Sequence, residues 1–313
     1  MSDATVLVIG AGGQIGTELV EALRAKHGAN NVIASDLKAC SSESLQRGPC
    51  EQLDATDGDA IRAVIEKYGV NQVYQLAAML SATAEKHPIK AWDLNMDGLL
   101  LILEMAREGL IEKVFWPSSI GVFGPTTPAD STPQNTVTEP TTVYGISKLA
   151  GERWCAYYHE KFGVDVRCIR YPGLISFKAP PGGGTTDYAI DIFHKALDTG
   201  EYTCFLEHDM MLPMMHMDDA IRGTLELMEA PAEKLSTRSG YNFAGLSFTP
   251  AQLAEEIKKS IPDFKISYEP DFRQQIAASW PNSIDDSTAR NDWNWVPEYD
   301  LTKLVNNMLT NLQ

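Results

Sequence analysis

Short apolar runs of β-rich composition alternate with longer helical patterns through the first half of the chain. The predicted strands are residues 6–9, 31–34, 72–75, 113–116 and 165–169, and the predicted helices are residues 14–26, 60–67, 89–107 and 142–161. This alternation is typical of parallel strands joined by crossover helices. We therefore predict an α/β fold built on a doubly wound parallel sheet.

The pattern changes after about residue 174. Residues 180–184 form a Pro- and Gly-rich breaker cluster, and a helical pattern follows at 188–197. A strand and a helix are predicted within 212–228, and Thr249 before Pro250 has the composition of a helix N-cap. We expect a smaller C-terminal α/β substrate-binding domain. The predicted ranges are 1–175 plus about 212–236 for the sheet domain, and about 176–211 plus 237–313 for the smaller domain.

Charge and composition argue against several kinds of partner. The 313 residues carry a formal net charge of −16, which disfavours nucleic acid and anionic membranes. The longest apolar run, 99–103, is far too short to span a bilayer, and from the composition before Thr5 we expect no targeting segment there. The five cysteines form no CxxC pair and the six histidines form no HxxxH pair, so we predict reduced thiols and no metal site. A cytoplasmic location is the expectation.

A glycine-rich turn directly follows the first predicted strand and opens the first helix. Gly10, Gly13 and Gly16 have the spacing GxxGxxG, with Gln14 and Ile15 at the helix start. Such a turn allows close approach of a pyrophosphate, and the helix N-terminus presents free N–H groups to it. We predict a Rossmann-type dinucleotide site that includes these five residues.

An acidic residue closes the second predicted strand. Asp36 lies 20 residues after Gly16, where a carboxylate accepts hydrogen bonds from both ribose hydroxyls and repels a 2′-phosphate. Because no Arg follows Asp36 directly, we predict NAD rather than NADP as the cofactor. Further candidates for cofactor contacts, which could equally be ordinary strand ends, are Leu53, Asp54, Leu76, Ala77 and Ala78.

Tyr144 and Lys148 stand four residues apart on one face of a predicted helix. Removal of hydride from an alcohol requires a base that takes the hydroxyl proton. A nearby ammonium favours the phenolate and lowers the pKa of the tyrosine. We predict Tyr144 as the general base, with Lys148 as its cationic partner and as a ligand of the nicotinamide ribose.

Hydroxyl groups follow the preceding predicted strand. Ser119 is the candidate for a hydrogen bond to the substrate alcohol, and Ser118 is expected to face the cofactor or to cap the turn. After the next strand, Tyr171 and Leu174 are candidates for closing over the nicotinamide. Tyr171 could equally be a packing residue.

These motifs together resemble the extended, UDP-galactose-epimerase-like branch of the short-chain dehydrogenase/reductase superfamily. The matching blocks are the glycine loop, residues 119–124, the Tyr144–Lys148 pair and residues 215–220. Within the branch the chain is most similar to the short-chain L-threonine 3-dehydrogenases, over nearly its whole length. The most specific stretches are residues 77–85, 115–119, 170–176, 180–188, 269–275 and 279–281.

The resemblance implies oxidation of the 3-hydroxyl of L-threonine to 2-amino-3-oxobutyrate with NAD. That product is unstable, so the resemblance also implies coupling to a 2-amino-3-oxobutyrate CoA ligase. It further implies a homodimer formed through the helices around 89–107 and 142–161.

A threonine site needs donors for a carboxylate and acceptors for an ammonium. The loop 182–187 offers backbone N–H groups and the hydroxyls of Thr185 and Thr186, and Ser81 is placed to reach the same ligand. Trp280 is a candidate for closing the pocket. Each of these roles competes with an ordinary one: a loop turn, a helix cap or a buried aromatic.

Two other functions fit the same motifs. A UDP-sugar epimerase or sugar-nucleotide dehydratase shares the Tyr–Lys pair, but needs a larger pocket and cations for a diphosphate, and typically an Asn just after the Tyr171 position, where this chain has Pro172. A redox-sensing NAD-binding regulator would not require Tyr144 or Lys148. The leading hypothesis is threonine oxidation.

Overall fold

The structure, a computed structural model, describes residues 4–40, 42–178 and 182–312. Its strands are β1 Val6–Ile9, β2 Val32–Asp36, β3 Cys50–Gln52, β4 Gln72–Gln75, β5 Lys113–Ser119, β6 Asp165–Tyr171, β7 Gly173–Ile175, β8 Glu201–Cys204, β9 Leu212–His216, β10 Gly240–Asn242, β11 Leu246–Phe248 and β12 Lys265–Tyr268. Its α-helices are α1 Gln14–His27, α2 Glu43–Gln46, α3 Gly58–Tyr68, α4 Ser81–Ala84, α5 Pro88–Arg107, α6 Val143–Phe162, α7 Tyr188–Asp198, α8 Met217–Glu229, α9 Pro250–Lys258, α10 Phe272–Ala277, α11 Ser287–Trp293 and α12 Leu301–Leu312. The strands and helices predicted for the first half of the chain are confirmed within a few residues.

The central sheet has seven strands in the order β10-β6-β5-β4-β1-β2-β3, and every neighbouring pair is parallel. This confirms the predicted doubly wound parallel sheet. The chain runs outward from β1 to one edge through β2 and β3, then returns and runs to the other edge through β4, β5 and β6. In such sheets the carboxyl ends of the strands at this reversal border a crevice that binds ligands.

Helices cover both faces of the central sheet. On β1, Val6 and Val8 pack into a core that α1 and α8 share, whereas Leu7 and Ile9 pack into a second core with α3, α5 and α6. All four side chains are buried. The uninterrupted apolar run of β1 follows from this, because a strand with helices on both faces has no solvent side.

The remaining strands form two small sheets, and here the structure differs from the expectation. β9 was assigned to the sheet domain, but it pairs with β7 and β11 in a separate three-stranded sheet. β10 was assigned to the smaller domain, but it pairs with β6 and ends the central sheet. Both pairings are long-range contacts of short strands, which local periodicity does not encode. The domain ranges as a whole stay a prediction.

The helix start predicted at Thr249 and Pro250 is confirmed. Thr249 and Gln252 form a capping box at the start of α9, with Pro250 in its first turn. The breaker cluster is described only from Gly182 onward, since Pro180 and Pro181 lie outside the described residues. Within the described ranges, no helix has the length and apolar character needed to cross a membrane.

The structure contradicts the expectation that all cysteines are reduced. Cys40 and Cys50 form a disulfide, although all five cysteines were expected as reduced thiols. The pairing of β2 with β3 brings the two together, because Ala34 lies opposite Cys50 and Cys40 follows β2 by four residues. The other three cysteines, Cys155, Cys168 and Cys204, are free and buried.

Candidate active site

A cavity lies at the carboxyl ends of the central strands, where the sequence-predicted residues converge. The predicted residues that line it are Gly10, Gly13, Gln14, Ile15, Gly16, Leu76, Ala78, Ser81, Ser118, Ser119, Tyr144, Lys148, Tyr171, Leu174, Thr185, Thr186 and Trp280. Lining residues that the sequence analysis did not single out include Leu80, Pro117, Ile120 and Gly173, whereas Gly184 and Asp187 belong to the predicted loop 182–187. The cavity therefore joins the glycine turn, the strand ends and the loop before α7.

Two glycines set the shape of the turn between β1 and α1. Gly10 has φ +88°, and a Cβ there would lie 2.7 Å from the backbone nitrogen of Ala77. A Cβ on Gly16 would lie 2.7 Å from Cα of Ala11, so the helix can pass this close to the strand only without a side chain.

The start of α1 is open to an anion. Its N-cap residue Gly13 offers no side-chain cap, and the first turn contains no acidic residue. The amide nitrogen Nε2 of Gln14 is buried without a hydrogen-bond partner. Free backbone N–H groups and an unpaired amide donor fit the pyrophosphate of a dinucleotide.

Asp36 lies beside this turn. Its carboxylate accepts hydrogen bonds from the backbone N–H of Gly12 at 2.9 Å and of Lys38 at 3.3 Å. Asp36 lines a second cavity, which shares Gly13 with the first. A carboxylate at this position fits the ribose hydroxyls of NAD and repels the 2′-phosphate of NADP.

Three predicted cofactor residues lie outside both cavities. Leu53 is buried and donates its backbone N–H to Asp36. The carboxylate of Asp54 accepts from the backbone and hydroxyl of Thr56, which lowers its pKa. Ala77 donates its N–H to Ile9 at 3.1 Å. In the structure these residues behave as strand ends, and a contact with the cofactor stays a prediction for them.

Tyr144 lies in the first turn of α6, beneath the end of β5. Thr142 caps this helix by accepting from the backbone N–H of Gly145 at 3.0 Å. A Cβ on Gly121 would lie 3.1 Å from the Tyr144 ring, so the turn after β5 is held close to that ring. Burial raises the pKa of Tyr144, and a hydrogen bond with Ser119 lowers it in part.

Lys148 lies one turn further along α6, on the same buried face. Its Nζ donates to the carbonyl of Pro117 at 2.6 Å and lies 5.5 Å from the centre of the Tyr144 ring. Burial lowers the pKa of Lys148 to about 8. The predicted lowering of the Tyr144 pKa by Lys148 is not found in the chain alone, where burial dominates and the ammonium is directed at the Pro117 carbonyl.

Two residues near the strand ends have polar groups that are already occupied by protein. Ser118 donates to Glu152 at 2.6 Å, and Glu152 is in turn paired with Arg170. The hydroxyl of Tyr171 is paired with the Thr224 hydroxyl, which directs the side chain into the core. The Tyr171 side chain therefore packs in the core while the residue still borders the cavity, and its contact with the nicotinamide stays a prediction.

The loop before α7 brings the predicted substrate residues together. The hydroxyls of Ser81 and Thr185 lie 3.2 Å apart, and both residues are buried. The backbone N–H groups of Gly183 and Gly184, which were expected to be available to a substrate carboxylate, each donate to Asp187 at 2.8 Å. Asp187 was not predicted as a site residue, and burial raises the pKa of its carboxyl.

Asn95 is a further residue that the sequence analysis did not single out. Its amide nitrogen donates to the Ser147 hydroxyl at 3.1 Å, and its amide oxygen accepts from the backbone of Met79 at 2.8 Å. Asn95 is 3% exposed and joins α5 to α6 and to the segment before Ser81. The sequence pattern that could have identified Asn95 is a polar residue on an otherwise apolar helix face.

A parallel sheet with a glycine turn, an open helix N-terminus, a ribose-facing carboxylate and a buried Tyr–Lys pair defines a Rossmann-fold oxidoreductase. A family model described as the NAD dependent epimerase/dehydratase family matches residues 6–243. The chain belongs to this family, is an enzyme and uses NAD as its cofactor.

Individual relatives extend the similarity to the whole chain. The chain is similar to the GalE-like L-threonine dehydrogenase of Cupriavidus necator in its holo form, with 59% identity, a TM-score of 0.97, and coverage of 99% of this chain and 100% of that one. It is also similar to a monomeric L-threonine 3-dehydrogenase of metagenomic origin, with 48% identity, a TM-score of 0.94 and 98% coverage of both. An uncharacterized epimerase/dehydratase of Staphylococcus haemolyticus is 49% identical over 306 residues, which is 97% of this chain and 96% of that protein.

The position of Asp36 generates a prediction on cofactor choice. Asp36→Ala removes hydrogen bonds between a carboxylate and the ribose, so we expect NAD to bind about 10- to 100-fold more weakly. NADP should bind more tightly than to the wild type, since the like charge is gone. Calorimetric titration with each cofactor measures both effects.

Glu43→Gln serves as a charge-matched control for Asp36→Ala, because Glu43 is an exposed acid on the nearby helix α2. Its removal should leave both affinities close to wild type. Equal NAD affinity in Asp36→Ala and the wild type would refute the ribose assignment.

Proposed function

We propose that the chain is an NAD-dependent L-threonine 3-dehydrogenase. The observation that carries this proposal is the small polar pocket beside Tyr144, which contains the paired hydroxyls of Ser81 and Thr185, together with Thr186 and Asp187. Its polar groups suit the carboxylate and ammonium of a small amino acid. The similar proteins of known structure that are named L-threonine dehydrogenases support the same substrate.

The proposed recognition of threonine uses both kinds of polar group in this pocket. The hydroxyls of Ser81, Thr185 and Thr186 serve as donors to the substrate carboxylate. Asp187 is the one carboxylate among the described lining residues, and it offers an acceptor for the ammonium. Trp280, which is 7% exposed, covers the pocket as an apolar wall.

The chemistry follows from the groups at the end of β5 and the start of α6. Bound NAD supplies a hydride acceptor. In our proposal the Ser119 hydroxyl orients the 3-hydroxyl of threonine, and the Tyr144 phenolate takes its proton as the C3 hydride leaves. Lys148 supplies a positive charge beside the phenolate and holds the nicotinamide ribose. The organic product is 2-amino-3-oxobutyrate.

A sugar-nucleotide substrate is less compatible with the cavity. Its diphosphate needs cationic partners. Among the described residues that line the cavity, the only cation is Lys148, and its ammonium already donates to Pro117. We therefore favour threonine over a UDP-sugar, although the family and the staphylococcal relative are named for epimerases and dehydratases.

The proposed product also suggests a functional partner. A β-keto acid with an adjacent amine loses carbon dioxide readily, so a CoA-dependent ligase that consumes 2-amino-3-oxobutyrate is the expected companion activity. A cytoplasmic location belongs to the same proposal.

The proposed base is tested by Tyr144→Phe. In an assay that follows NADH absorbance with NAD and L-threonine, we expect wild-type turnover and a loss of about 10²- to 10⁴-fold in the variant. NAD should still bind the variant, because the phenol acts on the alcohol proton. Tyr68→Phe, whose hydroxyl contacts Glu51 away from the cavity, is the matched control. Absence of threonine turnover in the wild type would contradict the substrate, and an active Tyr144→Phe would contradict the base.

The hydrogen bond between Ser119 and Tyr144 generates a pH prediction. Because this bond lowers the pKa of Tyr144, its removal in Ser119→Ala raises that pKa. The base form then appears at higher pH, so the rising limb of kcat/KM should move up by about one pH unit. Ser267→Ala, whose hydroxyl contacts Thr203 outside the cavity, should leave the position of the limb unchanged. If the rising limb of kcat/KM stays at the same pH in Ser119→Ala, the contact with Ser119 does not set the pKa of Tyr144.

We also propose that the chain forms a homodimer through α5 and α6. Large apolar side chains are exposed on these two helices, at Ile89, Trp92, Ile146, Trp154, Tyr157 and Phe162, with exposures of 40–74%. Trp154, Tyr157 and Phe162 belong to one aromatic cluster on α6. An exposed aromatic cluster of this kind is typical of a protein interface.

The dimer is tested with Trp154→Asp by light scattering after size exclusion. We expect the mass of two chains for the wild type and of one chain for the variant, because a charge would be buried in the interface. Val296→Asp is the control, since Val296 is also exposed and lies outside these helices. A wild type that elutes as a monomer, like the similar enzyme named monomeric, would refute the proposal.

A further inference from the structure

The bridge between Cys40 and Cys50 lies beside the cofactor site. The two Cα atoms are 6.4 Å apart, and ten residues separate the cysteines in sequence. Both residues are half-buried, so a small reagent can reach them. The three other cysteines are fully enclosed, and burial raises the pKa of each of their thiols, that of Cys204 to about 11. Only the pair near the surface is therefore suited to thiol exchange.

The bridge forms part of the wall of the second cavity, which Asp36 lines and which we call the ribose cavity. Cys40 lines that cavity together with Gly12, Asp36 and Ser42. Cys40 follows Asp36 by four residues, and the carboxylate of Asp36 is held by the backbone of Gly12. A change at Cys40 thus reaches the side chain that faces the ribose through a short exposed segment.

Residues 44–49 of the bridged loop are anchored independently of the bridge. Arg24 of α1 is buried and donates to the backbone carbonyls of Ser44, Leu45 and Pro49. These bonds hold α2 and the approach to β3 in place. The segment between Asp36 and Cys40 is exposed at Leu37, Lys38 and Ala39, and within the described residues only exposed side-chain amides reach its carbonyls, from Gln52 to Leu37 and from Gln46 to Cys40.

We propose that Cys40 and Cys50 form a reversible redox site that tunes the affinity for NAD. A disulfide of low molecular weight, such as oxidised glutathione, is the oxidant. One cysteine thiolate attacks it and forms a mixed disulfide, and the second then displaces the remaining small thiol. Two protein thiols lose two electrons and two protons, and one small disulfide becomes two small thiols.

The direction of the effect follows from preorganisation. The closed bridge restricts the segment that carries the wall of the ribose cavity, so little order has to be gained when NAD binds. In the reduced protein this segment has more freedom, and binding has to order it. Reduction therefore weakens NAD binding, while Tyr144 and Lys148, at the other end of the dinucleotide site, keep their geometry.

The test uses the full chain without threonine, so that it does not depend on the proposed substrate. The protein is equilibrated with oxidised glutathione or with dithiothreitol, denatured, and its free thiols are counted by labelling and intact mass. Five cysteines are present, so the oxidised form should show three free thiols and the reduced form five. NAD affinity of each native form is measured by calorimetry.

We expect reduction to raise the Kd for NAD by about 3- to 10-fold, reversibly. Cys40→Ser and Cys50→Ser should have the reduced-state affinity under both conditions, and Cys204→Ser should retain the response. Five free thiols after treatment with oxidised glutathione would overturn the redox site. An equal Kd in the two wild-type forms would overturn its link to NAD. Wild-type protein alone decides both points, even if a variant fails to fold.

Discussion

Helix α6 can lie across the end of β5 because Gly151 has no side chain beneath Trp116. A Cβ on Gly151 would overlap the six-membered ring of Trp116, closer than packed atoms approach. This contact sets the distance between helix and strand, and the hydrogen bonds between polar groups of α6 and β5 depend on that distance. With the helix at this height, Lys148 reaches the carbonyl of Pro117 and Tyr144 meets Ser119. The reacting groups are thus placed by a packing constraint two helical turns away from the base.

The cofactor end of the site is governed by the same kind of constraint. Gly16 lets α1 start directly over β1, and Gly10 lets the turn pass against the end of β4. Both close approaches leave backbone N–H groups, rather than side chains, at the edge of the cavity. Glycines at the helix–strand contacts therefore allow the close packing on which the site depends. The residues that carry the chemistry are positioned by that packing.

Features with local signals were predictable from the sequence, and features that depend on distant pairing were not. The glycine turn, Asp36 and the Tyr144–Lys148 spacing each occupy one strand end or one helix turn, and the fold places them as expected. The strand β10 has three residues, too few for a periodic pattern, and its partner β6 lies about 70 residues away.

The same limit explains the details of the site. That Asp187 takes the N–H groups of Gly183 and Gly184 depends on the conformation of the loop, and that Tyr171 meets Thr224 depends on where α8 packs. The bridge between Cys40 and Cys50 depends on the pairing of β2 with β3. None of these is visible as a spacing of residue types.

Burial acts on both members of the Tyr–Lys pair in a way that spacing alone did not reveal. It raises the pKa of Tyr144 and lowers that of Lys148, so the low-dielectric site disfavours each charged form separately. In the chain alone the two groups do not offset this for each other, because the Lys148 ammonium is directed at the Pro117 carbonyl. The Ser119 hydrogen bond favours the phenolate, and the buried carboxylate of Glu152 favours the ammonium. The useful ionisation state of each residue therefore depends on contacts from β5 and from the next turn of α6.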